Sequence, residues 1–245
     1  MGPRQPPPAG TGVGDDISAD NAGWSFAGDV PARFDAHVRR SIPFYDEGHG
    51  LVAELSDWFV GDGSVVYDLG CATGGLSRLL AERHRAKAPR LLAVDRDPDM
   101  LAQARTNCAG VAGIELVEAD LADLELAPCD LVVAYYTLQF VRPRWRQQVF
   151  DRIYQALEWG GALVLFEKVR APDARFQDIA GGLYTELKLR RGFAGEEIVN
   201  KARSLKGVLE PFSTRGNLDL LARAGFVDVM TVFKYVCFEG FVAIK

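Results

Sequence analysis

Three acids recur through the first half of the chain: Asp68, Asp95 and Asp120. Each stands at or near the end of a short apolar run: Val65-Val66-Tyr67 before Asp68, Leu91-Leu92-Ala93-Val94 before Asp95, and the stretch from Ile114 to Ala119 before Asp120. Short apolar runs rich in branched residues, with helical spacing between them, predict buried parallel strands. In an open α/β sheet the ligand binds at the carboxyl ends of the strands, so three carboxylates are expected to converge there. Asp95 can accept hydrogen bonds from both hydroxyls of a ribose, as an acid at the end of that strand does in dinucleotide sites. Asp120, with the Leu121 backbone beside it, can accept from the amino group of an adenine. Asp68 is left near the remainder of such a ligand, where its charge suits a positive tail.

The turn after Asp68 reads Leu69-Gly70-Cys71-Ala72-Thr73-Gly74-Gly75, and Leu76, Leu79 and Leu80 then recur at helical spacing. Its glycines let the backbone bend sharply and approach a ligand closely. The spacing is neither the G-x-G-x-x-G of a dinucleotide fold nor the G-x-x-x-x-G-K-[ST] of a phosphate loop. A turn without a pyrophosphate cradle, but with an acid beside it, suits a cation. Asp-Leu-Gly-Cys-x-x-Gly resembles motif I of class I S-adenosylmethionine (SAM) methyltransferases, which bind a sulfonium and an amino-acid tail there. That resemblance implies SAM as cofactor, and the residues expected to hold it are Tyr45, Asp68, Gly70, Cys71, Ala72, Gly74, Asp95, Arg96, Asp120, Leu121 and Tyr135. Asp97, just before Pro98, reads instead as a helix cap.

The elements that must carry these groups follow from the bulk of the chain. Its 245 residues suffice for one domain with a substantial core, and 48% hydrophobic with 25% charged residues is ordinary soluble composition. A net charge of −5 argues against a nucleic-acid partner and favours a small-molecule substrate. The four cysteines (Cys71, Cys108, Cys129, Cys237) are widely spaced and the three histidines form no metal-ligand pattern, so reduced thiols, a cytoplasmic location and no metal are expected. No apolar run is long enough for a membrane span. A homodimer is expected.

Residues 1–22 are rich in proline and glycine and read as a disordered leader; residues 23–245 read as a single SAM-binding domain. Within it, residues 23–60 predict two short helices, either a lid over the carboxyl edge of the sheet or ordinary packing on a sheet face. From residue 64 strands and helices alternate: strands over 64–69, 91–95, 114–120, 130–135 and 162–166, and helices over about 74–86, 98–108 and 144–158, the last ending at Gly160-Gly161. Residues 173–210 predict a charged helical insertion. A helix over 215–224 and two strands joined by a tight turn finish the chain. The fold class is α/β: a Rossmann-like, seven-stranded, mostly parallel sheet with a C-terminal antiparallel hairpin.

Further stretches narrow the family. They are Arg40-Ser41-Ile42-Pro43-Phe44-Tyr45, Tyr136-Thr137-Leu138-Gln139-Phe140, the run from Gly160 to Lys168, Glu197-Ile198 leading to Arg203-Ser204-Leu205, and the ending from Phe238 to Lys245. Together they resemble carboxy-S-adenosylmethionine synthase, a methyltransferase-fold enzyme of transfer-RNA wobble-uridine modification. In that family prephenate supplies a carboxyl group to a SAM ylide. The resemblance implies that Tyr45 contacts SAM from the lid, and that Arg203 grips the added carboxylate of carboxy-SAM. A guanidinium fork suits a carboxylate. This chain departs from the pattern at two places: Tyr135 replaces the family's asparagine after the fourth strand, and Tyr184-Thr185 replaces two adjacent histidines.

Other residues carry two readings each. Glu167, after the fifth strand, is either a general base raised in pKa by burial or a structural charge. Tyr135, Tyr136 and Tyr184 either line an acceptor pocket or are half-buried aromatics. His37 and His49 read as structural. Arg142, Arg144 and Arg146 form either an anion patch at a helix start or a solvated face. The leading expectation is methyl transfer from SAM to a small, carboxylate-bearing metabolite, with Arg203, Tyr45, Glu167 and Tyr184 as the catalytic set. The alternatives are synthesis of carboxy-SAM and a non-catalytic SAM-binding role.

Overall fold

A computed structural model describes residues 11–245 apart from 16, 27 and 29. The strand run around Val66 becomes β3 (Val65–Leu69) at the centre of a seven-stranded sheet. Its neighbours are β4 (Arg90–Asp95), β5 (Ile114–Glu118), β6 (Cys129–Tyr135), β7 (Leu157–Lys168), β8 (Asp228–Tyr235) and β9 (Phe238–Ile244), in the order β5-β4-β3-β6-β7-β9-β8. The strands pair in parallel through β7, and β9 runs antiparallel to both β7 and β8. The parallel sheet with a terminal hairpin is therefore as the sequence implies.

Period-two alternation divides the core between the two faces. Val66, Ala93, Val133 and Val164 face one layer, with Val52 and Ala53 of α2 (Tyr45–Ser56) and Leu76 and Leu80 of α3 (Gly75–Arg83). Tyr67, Val94, Val132 and Leu163 face the other, with Phe150 and Ile153 of α5 (Pro143–Ala156) and Leu220 and Leu221 of α8 (Thr214–Ala224). Between them in sequence, α4 is Pro98–Asn107. At its start Asp97 accepts hydrogen bonds from the Asp99 and Met100 amides, the cap that its place before Pro98 suggests.

The chain order reverses at β3, which lies between β4 and β6. A crevice therefore opens at the carboxyl ends of these strands. Over it lie α1 (Val30–Ser41), α6 (Ala174–Arg190) and α7 (Gly195–Ser204). Pro43 follows α1, and Phe44 takes a left-handed conformation (φ 56°) that turns the chain into α2.

Three sequence expectations need correction here. The described part of the supposed leader is folded: Thr11–Gly12 (β1) pairs antiparallel with Ser18–Ala19 (β2), and Val13 and Ile17 are buried with Trp24, Val30 and Met100. Proline and glycine content hid two apolar anchors that suffice once a surface is present to receive them; residues 1–10 lie outside the described part. The helix expected to reach residue 158 stops at Ala156, and the chain passes directly into β7. Gly160 (φ 82°) sits inside that strand, where a register irregularity opposes it, rather than at a helix end. The third strand ends at Glu118, which leaves Asp120 in the turn beyond it. Among the described residues, no helix is long and apolar enough to cross a membrane.

Candidate functional site

The glycine turn is built to expose backbone. Gly70 and Gly74 both have positive φ, and Gly74 starts α3 in the left-handed conformation. A side chain on Gly70 would strike Thr137, and one on Gly74 would strike the Cys108 sulfur. Ala72 also has positive φ (48°), a strained position for a residue with a side chain. Its amide donates to Asp95 Oδ2 at 2.9 Å, while the Asp97 amide donates to Asp95 Oδ1 at 3.0 Å. Asp95 is thus fixed by the loop across from it, with lone pairs left for a diol. Partial burial raises its pKa.

Asp68 is almost fully buried and accepts a hydrogen bond from Ser77 Oγ at 2.5 Å. Burial pushes its pKa to about 6, against the opposing effect of Ser77. A cation placed beside it would stabilise the carboxylate. Asp120 is exposed; it accepts from the Ala122 amide and lies 3.7 Å from an Arg96 nitrogen. Leu121 is buried behind it.

Asp68, Gly70, Cys71, Ala72, Asp95, Arg96, Asp120, Leu121, Tyr45 and Tyr135 all line one cavity of about 1100 Å³. That volume stands at the upper end for small-molecule sites, with room for a nucleoside and a second small molecule. Gly74 is not on its wall; it acts one residue back, by turning the loop into α3. The lid closes the cavity at two points. Thr73 Oγ1 in the turn donates to Asp35 of α1 at 2.7 Å. Tyr135 Oη donates to the Tyr45 carbonyl at 2.8 Å, and the two rings meet edge to face at 5.3 Å. Gly48 makes room for that tyrosine, since a side chain there would collide with its hydroxyl. Burial raises the pKa of Tyr45 and Tyr135, so both remain neutral.

The inner half of the cavity carries the opposite charge. Tyr184 lines it; its hydroxyl donates to the Ser41 carbonyl at 2.9 Å. Two lysine ammonium groups approach its ring, Lys168 at 4.4 Å and Lys188 at 4.6 Å from the centroid. Lys201, on α7, sits against the Trp24 ring. All three line the cavity and contact aromatic faces, with no carboxylate within ion-pair distance among the described residues. Burial lowers the pKa of each, to about 8 for Lys188 and well below the ordinary range for Lys201. The neighbouring lysine charge adds to the effect for Lys188 and Lys201. Lys168 and Lys188, desolvated ammonium groups with no carboxylate within ion-pair distance among the described residues, form a site for an anion, with Lys201, whose charged form burial disfavours, beside them.

Two expected catalytic residues stand elsewhere. Arg203 is exposed and not on the cavity wall. On α7 the inward face runs through Asn200, Lys201 and Ser204; two residues past Lys201 is about 200° round a helix, so Arg203 points away. Glu167 is buried behind the wall, where it accepts from the Gln139 amide at 3.1 Å. Burial lifts its pKa to about 8, and the Arg146 charge opposes the rise. On a strand adjacent side chains face opposite ways, so Lys168 enters the cavity and Glu167 does not. Arg146, suggested as part of an anion patch, is likewise buried, donating to the Gln139 and Val141 carbonyls. Sequence reading placed Lys168 with Glu167 at the ligand edge, as a structural charge or otherwise, and missed Lys188, Lys201 and Asp35. Lys188 and Lys201 read as surface charge in a helical, charged segment, and only their helical phase relative to the cavity distinguishes them.

Residues 66–161 match the family model described as a methyltransferase domain. Over 223 residues the chain is 32% identical to a carboxy-S-adenosyl-L-methionine synthase of Staphylococcus epidermidis, covering 91% of this chain and 97% of that protein. It is 35% identical to the enzyme of the same name from Wolinella succinogenes, over 88% and 91% of the two chains. The chain belongs to the carboxy-S-adenosyl-L-methionine synthase family. Membership makes it a SAM-dependent enzyme of the methyltransferase fold. Among solved structures, the pyocyanin biosynthetic protein PhzM superposes with a TM-score of 0.65 at 17% identity, over 89% of this chain and 59% of that one. Human N-acetylserotonin methyltransferase in complex with SAM gives 0.55 at 17% identity, over 91% and 60%. At such identities these two likenesses concern the fold alone.

Proposed function

We propose that this chain brings SAM against a small carboxylate-bearing co-substrate and forms carboxy-SAM, with prephenate as the carboxyl donor. The observation that carries the reading is the division of charge in the cavity. Asp68, Asp95 and Asp35 face the region suited to a sulfonium nucleoside; Lys168, Lys188 and Lys201 face the inner chamber. A ligand pair of opposite charge fits that division, and a neutral co-substrate would leave the buried Lys168 and Lys188 ammonium groups uncompensated. Tyr45, Asp95, Asp120 and the turn hold the nucleoside in this reading. Tyr184 and the lysines orient the carboxylates, and the lid excludes water, which strengthens every charge interaction inside.

A second reading, methyl transfer to a carboxylate-bearing acceptor, draws support from Tyr135 and Tyr184. Both line the cavity, at positions where the family resemblance implies an asparagine and a histidine. Incubation with SAM and prephenate, followed by mass spectrometry of the nucleoside fraction, separates the two. A product heavier than SAM by carbon dioxide supports the first; S-adenosylhomocysteine with a methylated acid supports the second. Absence of SAM binding by calorimetry refutes both. We further propose a cytoplasmic homodimer, in keeping with four free, buried thiols and the exposed Phe176, Ile179 and Leu183 on α6. Light scattering of the purified protein tests the assembly.

A further inference from the structure

Tyr136 combines two unfavourable features that none of the roles above uses. It follows β6, where strand alternation would send its side chain to the opposite face of the sheet from Tyr135. Instead its backbone takes the left-handed conformation (φ 58°), a strained one for an aromatic residue. That turn brings the second tyrosine back beside the first. The two ring centroids lie 4.8 Å apart, and Tyr136 packs edge-on against Phe166 and Phe238. The second feature is the hydroxyl. Tyr135 donates to the Tyr45 carbonyl and Tyr184 to the Ser41 carbonyl, but the Tyr136 hydroxyl makes no hydrogen bond to any described residue. The residue is only 6% exposed. Its oxygen is nevertheless not sealed off, and the residue lines the cavity, so the hydroxyl is open to the chamber. A buried hydroxyl without a partner destabilises the fold unless a ligand supplies one.

The surroundings hold the strained turn and select the partner. The Tyr136 amide donates to the Phe166 carbonyl at 2.8 Å. The Tyr136 carbonyl accepts from Gln139 Nε2 at 3.1 Å, and Oε1 of the same side chain accepts from the Lys168 amide at 2.8 Å. Gln139 therefore fixes the tyrosine and one chamber lysine to each other. The Gln139 amide donates to Glu167 and its carbonyl accepts from Arg146, so both charged groups buried behind the wall act on this one turn. Phe238 packs against Tyr136 and also against Tyr184, the ring that Lys168 and Lys188 approach. Burial first, and the nearby Glu167 carboxyl after it, raise the pKa of Tyr136, so it keeps its proton and acts as a donor. A neutral donor in the wall that also carries two ammonium groups recognises an oxyanion.

We propose that Tyr136 binds the co-substrate, its hydroxyl donating a hydrogen bond to the carboxylate that Lys168 and Lys188 attract, with Gln139 as the positioning residue that sets hydroxyl and ammonium to one oxyanion. The inference rests on the reading of the chamber as the seat of an anionic co-substrate. The lysines and the tyrosine contribute differently. An ammonium on a flexible stem is a point charge that attracts any anion, whereas a phenol on a fixed ring donates along one line and sets orientation. The bound carboxylate supplies the acceptor that the protein itself leaves out, and the left-handed turn is what aims the donor at it.

The test compares full-length wild type with Tyr136→Phe, which keeps the ring and its packing and loses only the oxygen. Prephenate binding is read by calorimetry with S-adenosylhomocysteine in the cofactor site, and turnover by mass spectrometry of carboxy-SAM formed from SAM and prephenate. Tyr136→Phe weakens prephenate by about 10- to 100-fold, with SAM affinity unchanged and KM for prephenate raised more than kcat is lowered. The free variant melts at or above the temperature of wild type, because an unbonded buried hydroxyl has been removed. Gln139→Met, which breaks both side-chain bonds, weakens prephenate at least as much. Equal prephenate affinities for wild type and Tyr136→Phe overturn the inference. So does a Tyr136→Phe enzyme that melts below wild type, since the hydroxyl would then serve the fold. Prephenate bound but not converted removes the carboxy-SAM reading, while the two affinities still decide this one. A wild type that binds SAM but no prephenate overturns both.

Discussion

Replacing Lys188 with methionine should make the protein more stable and less able to bind its co-substrate. The side chain is 8% exposed and points at the Tyr184 ring with no carboxylate partner. Its amine releases the proton near pH 8 instead of the ordinary 10.5, chiefly through burial and secondarily through the charge of Lys168. At about 1.36 kcal/mol per pH unit, carrying that charge at neutral pH costs the fold about 3 kcal/mol. The sign follows from linkage. Between pH 8 and 10.5 the unfolded chain binds more protons at this position than the native one, so wild-type stability recovers as pH rises through that window. Methionine keeps the stem length and removes the charge. Urea denaturation should therefore show Lys188→Met more stable than wild type by about 2–3 kcal/mol at pH 7, with the gain shrinking towards pH 10. The loss of one charge-assisted bond, about 1.5–3 kcal/mol, should weaken the anionic co-substrate by roughly tenfold or more. A variant less stable than wild type at pH 7, or a gain that does not change with pH, would refute the idea of an uncompensated buried cation.

Three further outcomes follow from the cavity. Asp95→Ala removes a carboxylate held by the Ala72 and Asp97 amides and should weaken SAM by about 10- to 100-fold in calorimetry; an unchanged Kd would exclude Asp95 from the ribose. Asp68, whose carboxyl is lifted to about 6 by burial, should make SAM affinity rise between pH 5 and 7 as the acid ionises, and Asp68→Asn should flatten that dependence; equal slopes for the two proteins would show that the buried acid does not sense the cofactor. Arg203→Leu, a change at an exposed position off the cavity wall, should leave SAM and co-substrate binding within about twofold of wild type. A large loss would restore the arginine to the site.

What the sequence determined by itself is the frame and the cofactor half of the site. Branched apolar runs ending in acids can only be buried parallel strands with carboxylates at one edge, and the glycines at 70 and 74 demand a turn that side chains would block. Spacing along the chain carried that information because β3, its turn and α3 are contiguous. The reaction half was not legible in the same way. Arg203 and Lys201 are two residues apart, and Glu167 and Lys168 adjacent; type and position alone favoured the member of each pair that does not line the cavity. Helical phase on α7 and strand alternation on β7, fixed only when those elements pack over the crevice, turn the lysines inward and the other two away. The N-terminal segment shows the same limit. Its few apolar residues predict no structure alone, and only the assembled surface of α1 and α7 gives Val13 and Ile17 a place to bury and brings Asp15 to His37.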